Sequence, residues 1–149
     1  MNKNFVKLSF IAIAISFFAC SSQQTEEITF KEGKNYFVKN TFKTDHVISK
    51  KITTQNELDD VFGSATVMGN DGKPTAIDFE KNIVIALICP ETNVATQISS
   101  LKLVKNKDSN VKIQFKLIKK EIQTFWAVPF SILIIDKEYK SMPFVLNQL

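Results

Sequence analysis

An unbroken apolar run lies in the middle of the chain, Ile83-Val84-Ile85-Ala86-Leu87-Ile88-Cys89, and Pro90 follows it directly. The run shows no polar alternation and is rich in β-branched residues, which is typical of a strand covered on both faces. Pro90 has no backbone N–H to give to a ladder, so we expect the strand to end before it. The sequence therefore predicts a central strand with other layers on both sides.

Further strands are predicted on either side of this run. In residues 111–117, apolar side chains alternate with Lys112, Gln114 and Lys116, which predicts a strand with one solvent-exposed face. Five further ranges on the N-terminal and C-terminal sides also predict strands: residues 36–38, 46–48, 98–104, 125–135 with a break at Pro129, and 144–146.

One short helix is predicted just before the central run. Thr54-Gln55-Asn56-Glu57 matches a capping box, in which the Thr hydroxyl accepts the Glu backbone N–H and the Glu carboxylate reaches back. Leu58, Val61 and Phe62 then follow at helical spacing, and Gly63 can terminate the helix. A helix of about two turns is too short to be stable alone, so it must pack on a sheet.

These elements together predict the fold class. A helix surrounded by several strands with short turns favours an α+β domain, mainly an antiparallel β-sheet of about six to seven strands. A small β-sandwich is the alternative. We expect most of the thirteen Phe residues in the core.

The N-terminal residues have the pattern of an export signal. Lys3 and Lys7 precede an apolar stretch, residues 8–18, that is too short to span a bilayer, which needs about twenty residues. Phe17-Phe18-Ala19-Cys20 resembles the lipobox of bacterial lipoproteins, and the resemblance implies that Cys20 is the site of lipid attachment. An ordinary secretory signal cleaved near Ala19 is the alternative.

This signal predicts the organisation and location of the chain. Residues 1–19 are expected to be a lipoprotein signal peptide, 20–34 a lipid-anchored flexible tether, and 35–149 a single β-rich globular domain. In such a tether, Glu26-Glu27 serve only as solvating charges. We expect a lipoprotein of the cell envelope, anchored in the outer membrane and facing either the periplasm or the surface. Nucleic acid is then a poor partner.

Composition excludes several kinds of chemistry. All nineteen basic residues are Lys, so no guanidinium is present to clamp a carboxylate or phosphate in a bidentate manner. One His and two Cys are too few for an ordinary zinc cluster. We therefore predict no metal site and no cofactor.

The candidate catalytic residues are few. Cys89 and His46 form the one conceivable pair of nucleophile and base, although a cysteine that ends an apolar strand is usually a small buried hydrophobe. Asp59-Asp60 point apart on a helix, and Asp78 and Glu80 are expected in a turn. The sequence therefore predicts no catalytic residue.

One family resemblance involves the central run. Ile77-Asp78-Phe79-Glu80-Lys81-Asn82 leads into the run, and then come a turn, two strands and an Ile-rich strand after Pro129. Over residues 77–146 this order resembles the C-terminal domain of PrcB-type proteins, which are lipoprotein subunits that stabilise a surface protease complex. The family's turn after the central strand carries two glycines and an aromatic residue, which residues 91–97 lack.

The resemblance implies a non-enzymatic lipoprotein domain that binds or stabilises a partner protein, with a protease as one candidate. Loops on a rigid sheet commonly carry recognition, which favours residues 91–97, the Gly-rich loop 69–74 and the segment around Trp126. The candidate partner-binding residues are Glu91, Thr92, Asn93, Thr96 and Trp126. For Trp126 itself we expect a core position, and an exposed contact is the alternative on which its place in this set depends. A small-ligand carrier with an enclosed apolar pocket is the alternative function.

Overall fold

The computed structural model describes residues 25–66, 72–107 and 109–149. Cys20 and residues 69–71 of the loop 69–74 lie outside these residues. The described strands are β1 (Glu26–Ile28), β2 (Lys31–Glu32), β3 (Tyr36–Val38), β4 (Ile48–Ile52), β5 (Phe62–Ser64), β6 (Asn82–Ile88), β7 (Thr92–Lys105), β8 (Val111–Ala127), β9 (Phe130–Asp136) and β10 (Phe144–Gln148). The helices are α1 (Gln55–Val61) and a 3-10 helix at Lys137–Ser141. No helix in the described ranges is long and apolar enough to cross a membrane.

The strands form two four-stranded sheets and a separate pair. The first sheet has the order β1-β7-β8-β10, the second has the order β2-β9-β6-β4, and β3 pairs with β5. All described pairings are antiparallel except that of β8 with β10, which run parallel. The prediction of an α+β, mainly antiparallel fold is confirmed, with ten described strands instead of six to seven.

The core has three layers, and β6 lies in the middle one. Ile83, Ile85 and Leu87 belong to the apolar cluster between the first and second sheets. The alternate residues of β6 belong to a second cluster, which α1 and the β3-β5 pair complete on the opposite face of the second sheet. Because every residue of the run is buried, the predicted two-sided central strand is confirmed. Aliphatic side chains dominate both clusters, and only two phenylalanines, Phe62 and Phe115, are fully buried among the described residues.

Helix α1 begins with the predicted cap. The Thr54 hydroxyl accepts the Glu57 N–H at 3.2 Å, while the Glu57 carboxylate accepts the N–H of Thr53 at 2.6 Å. This hydrogen bond from Thr53 lowers the pKa of the Glu57 carboxyl below its ordinary value. The helix ends at Val61 because Phe62 is already extended and opens β5, so Gly63 is not its terminator.

The segment predicted as a flexible tether is part of the fold from Glu26 onward. Strand β1 pairs with β7 at Leu103–Lys105, and β2 pairs with β9 in the other sheet. Ile28 is buried between the sheets. A single short segment thus joins both sheets, and the predicted domain boundary at residue 35 is too late.

Glu26 and Glu27 form ion pairs in this segment. Glu26 contacts Lys105, and Glu27 contacts Lys102, each with 3.2 Å between carboxylate oxygen and ammonium nitrogen. Both pairs are solvent-exposed, so each contributes at most about 1 kcal/mol. The burial of Ile28 and the strand hydrogen bonds, rather than these charges, hold the segment in place.

Gly33 provides a test of this N-terminal segment. Its N–H donates to the Ile132 carbonyl at 2.9 Å, and an added Cβ would lie 2.6 Å from Cγ2 of the buried Ile132. We expect Gly33→Ala to lower the free energy of unfolding by about 1 to 3 kcal/mol, the usual cost of overpacking. Chemical denaturation measures the change.

The matched control is Glu32→Ala, because Glu32 is exposed in the same segment. We expect this variant to change the free energy of unfolding by less than about 0.5 kcal/mol. Equal stability of the two variants would show that residues 26–34 are a tether after all.

Candidate functional site

The hairpin of β7 and β8 extends beyond the rest of the first sheet. Strand β10 pairs with β8 only along Val111–Phe115, and β1 pairs with β7 only along Leu103–Lys105. The rest of the hairpin runs from the Ser99–Lys116 pair to the Thr92–Ala127 pair. No further strand lies beside this part of the hairpin in the described part of the chain. We call residues 92–99 and 116–127 the two-stranded arm.

A large bulge distorts β8 near the end of the arm. Val94 lies opposite Ile122 and Thr92 lies opposite Ala127, so β8 advances five residues where β7 advances two. Phe125 lies within this bulge, next to Trp126. Bulges redirect side chains away from the regular alternation of a strand, which explains why two aromatic residues can leave the core here.

The arm carries large apolar side chains that face solvent. Trp126 is 64% exposed, Phe125 is 56% exposed and Ile122 is 76% exposed, and Ile118 is also exposed. The expectation of a core position for Trp126 is wrong, and the alternative of an exposed contact describes its location. We call these residues, Ile118, Ile122, Phe125 and Trp126, the apolar patch.

The arm carries unpaired positive charge on the same strand as the apolar patch. Its three lysines are exposed, and none forms an ion pair with another described residue: Lys116, Lys119 and Lys120. Glu121 is the one acidic residue of the arm. The arm therefore offers a surface that is apolar in part and otherwise basic.

Residues 91–97, expected as a turn, are instead mostly strand. Strand β7 begins at Thr92, which lies opposite Ala127 and therefore close in the sheet to Trp126. The structure thus brings the predicted residues Thr92, Asn93 and Thr96 onto the same arm as Trp126. The turn was expected because residues 91–97 have no large aromatic or long apolar side chain. That absence does not distinguish a turn from a strand.

The side chains of these predicted residues have specific partners. Glu91 forms an ion pair with Lys43 at 2.9 Å. The Thr92 hydroxyl accepts the Val94 N–H at 3.1 Å, and the Thr96 hydroxyl donates to the Val94 carbonyl at 2.9 Å. The two threonines therefore hold the backbone of the arm, and Glu91 joins the Thr92 end of the arm to the loop before β4.

Three grooves on the described surface are open to solvent. One of about 340 Å³ includes Glu91, Thr92 and Thr96, and one of about 230 Å³ follows residues 94–97. A third of about 470 Å³ lies near Tyr139, away from the arm. A small-ligand carrier needs an enclosed apolar pocket, so these grooves give that alternative no support.

Cys89 and His46 line the first of these grooves together. The Cys89 side chain is buried, and burial raises the pKa of its thiol, which is opposite to the shift that activates a nucleophile. The His46 imidazole contacts Asp45 at 2.5 Å and is well exposed. No group of three or more potential metal-ligating side chains occurs among the described residues.

The remaining acidic candidates have structural surroundings. The Asp78 carboxylate accepts the Glu80 N–H at 3.0 Å, and the Asp78 carbonyl accepts the Asn82 N–H at 2.8 Å, which together form the turn into β6. Asp59 and Asp60 are exposed on α1. None of these carboxylates lies on the arm.

Comparison of this chain with protein-family models, with curated proteins and with solved structures finds no match in any of the three. The candidate site therefore rests on the geometry of the arm.

The buried thiol makes a prediction about reactivity. In a Cys20→Ala variant, Cys89 is the single thiol of the chain. We expect iodoacetamide at neutral pH to label it far more slowly in the native protein than in guanidinium chloride, because burial disfavours the thiolate. Mass spectrometry follows the labelling. Equal rates in the native and denatured protein would indicate an accessible, reactive thiol.

Proposed function

We propose that this chain is a non-enzymatic lipoprotein of the cell envelope, anchored through Cys20, whose β-rich domain binds a partner protein. The exposed apolar patch on the two-stranded arm is the observation that carries the proposal. The partner contacts the patch.

The composition of the patch favours a protein contact. Tryptophan and other aromatic residues contribute much of the binding energy at protein interfaces, where a polar rim surrounds an apolar centre. Here Phe125 and Trp126 supply the aromatic side chains, and Lys119 and Lys120 supply polar neighbours along the same strand. Several large apolar side chains exposed on one segment commonly mark such sites, and here all four lie within nine residues of β8.

The position of the patch also favours a protein over the lipid bilayer. Glu26, where the described chain enters the fold, pairs with Lys105 at one end of β7, while the patch lies near the other end. Strand β7 has 14 residues, and at about 3.3 Å per residue it spans at most about 45 Å. The point where the described chain enters the fold and the patch are therefore near opposite ends of β7.

An envelope protease complex is the first partner to test. The order of elements over residues 77–146 resembles the C-terminal domain of PrcB-type proteins, which suggests a stabilising role towards such a complex. In this proposal the domain performs no chemistry, and it acts by binding a surface of the complex.

Site-specific photo-crosslinking tests the proposal. Benzoylphenylalanine replaces Ile122 or Trp126 in the lipidated chain, and cells that make the protein natively are irradiated. Because both side chains are well exposed, the replacement should leave the core unchanged. We expect a discrete adduct of the chain with one other protein from each of these positions, visible as a band shift on a denaturing gel.

The matched control position is Val145, which is 48% exposed on β10 and outside the arm. We expect no adduct, or a much weaker one, from this position. Adducts of equal yield from all three positions, or none from Ile122 and Trp126, would contradict the proposed function.

A further inference from the structure

We propose, building on the proposed function, that an extended segment of the partner binds as an added β-strand along the outer edge of β7. The segment belongs to a different protein and carries acidic side chains. Strand addition uses unpaired backbone groups for affinity and adjacent side-chain grooves for specificity.

The edge of β7 is open over most of its length. One side of the strand pairs with β8, whereas the other pairs with β1 at Leu103–Lys105 alone. From Thr92 to Lys102 no strand lies against this second side within the described ranges. An extended strand with one free side presents a row of N–H and C=O groups that can pair with another chain.

The backbone of Val94 shows how this edge is held in the free protein. Hydroxyl groups of Thr92 and Thr96, from the same strand, hydrogen-bond the Val94 N–H and C=O. We infer that these two backbone groups point away from β8. An incoming strand would replace two local side-chain hydrogen bonds by backbone ones, so no buried polar group is left without a partner.

The same edge is protected against strand addition by its irregular register and not by charge. Native edges are commonly blocked by lysine, proline, inward-pointing charge or β-bulges, and β7 has register shifts at Thr92–Val94, Val94–Thr96 and Ser99–Lys102, so its regular edge runs from Thr96 to Ser99. Residues 92–101 contain neither a charged residue nor a proline, whereas β8 carries three lysines on the arm. The arm thus has one strand that is rich in charge and one that is not.

A groove that spans β7 and β8 indicates the chemistry of the segment. It is lined by residues 94–97 of β7, by Gln123 and Ala127 of β8, and by Val128 and Pro129, which offer an apolar wall. Lys120 of β8 is the one charged residue in its lining, and no acidic residue lines it. An Asp or Glu side chain that reaches across β7 from the added strand would therefore find an unpaired ammonium group, while its apolar neighbours contact the wall.

A proline substitution tests strand addition. Val94→Pro removes the N–H and fixes φ at a value that an edge strand tolerates, whereas Val94→Ala shortens the side chain and keeps the N–H. Both are placed in the chain that carries the photo-crosslinker at Ile122. We expect Val94→Ala to keep the adduct and Val94→Pro to lower its yield about tenfold, since a partner acceptor is left unpaired.

A second pair of variants tests whether the bound segment of the partner is acidic, and neither variant alters the backbone. Lys120→Glu should lower the adduct yield several-fold, whereas Lys112→Glu, on the same strand but outside the groove, should leave it unchanged. If thermal denaturation shows that Val94→Pro is unfolded, this pair decides the inference. Equal yields from the two glutamate variants would overturn it.

The outcomes separate this inference from the proposed function. If folded Val94→Pro forms the adduct as well as Val94→Ala does, strand addition is wrong while binding through the patch stands. An adduct of twice the mass of the chain would show that a second copy occupies the edge, which also overturns the inference. If the parent chain forms no adduct from Ile122, the proposed function and this inference both fail.

Discussion

Burial of β6 on both faces is the constraint on which the other elements depend. A strand whose every side chain is apolar must exclude water on two sides, and one additional layer would cover only one of them. The first sheet covers the face that includes Ile85, and α1 with the β3-β5 pair covers the face that includes Ile88. The two-turn helix exists because it has this surface to pack on.

The same arrangement explains why part of the molecule is left uncovered. The first sheet needs β7 and β8 over the length of the core, and strands β1 and β10 flank them only there. Beyond that length the hairpin continues as an arm with no third strand and with a bulge that turns Phe125 and Trp126 outward. The binding surface is therefore an extension of the element that closes the core.

Local pattern predicted the parts of the fold where one principle dominates. The unbroken apolar run predicted that β6 is covered on both faces, and the alternation in residues 111–117 predicted the solvent-exposed face of β8. Thr54 and Glu57 predicted the start of α1. The strand at residues 26–28 was missed because its partner is distant in sequence and it buries one large side chain, Ile28. The sequence did not predict the exposure of Trp126 either. A bulge depends on the register between two strands and cannot be recognised from the sequence of one strand alone.

Two conservative substitutions of the same residue type test the central claim most directly. Ile85 and Ile88 are both fully buried, and they face opposite layers. Removing one methyl group from either should lower the free energy of unfolding by about 1 kcal/mol, because each leaves a void in a packed cluster. Chemical denaturation of Ile85→Val and Ile88→Val gives both values. Comparable losses support a strand buried on both faces; a loss from one variant and none from the other would contradict it.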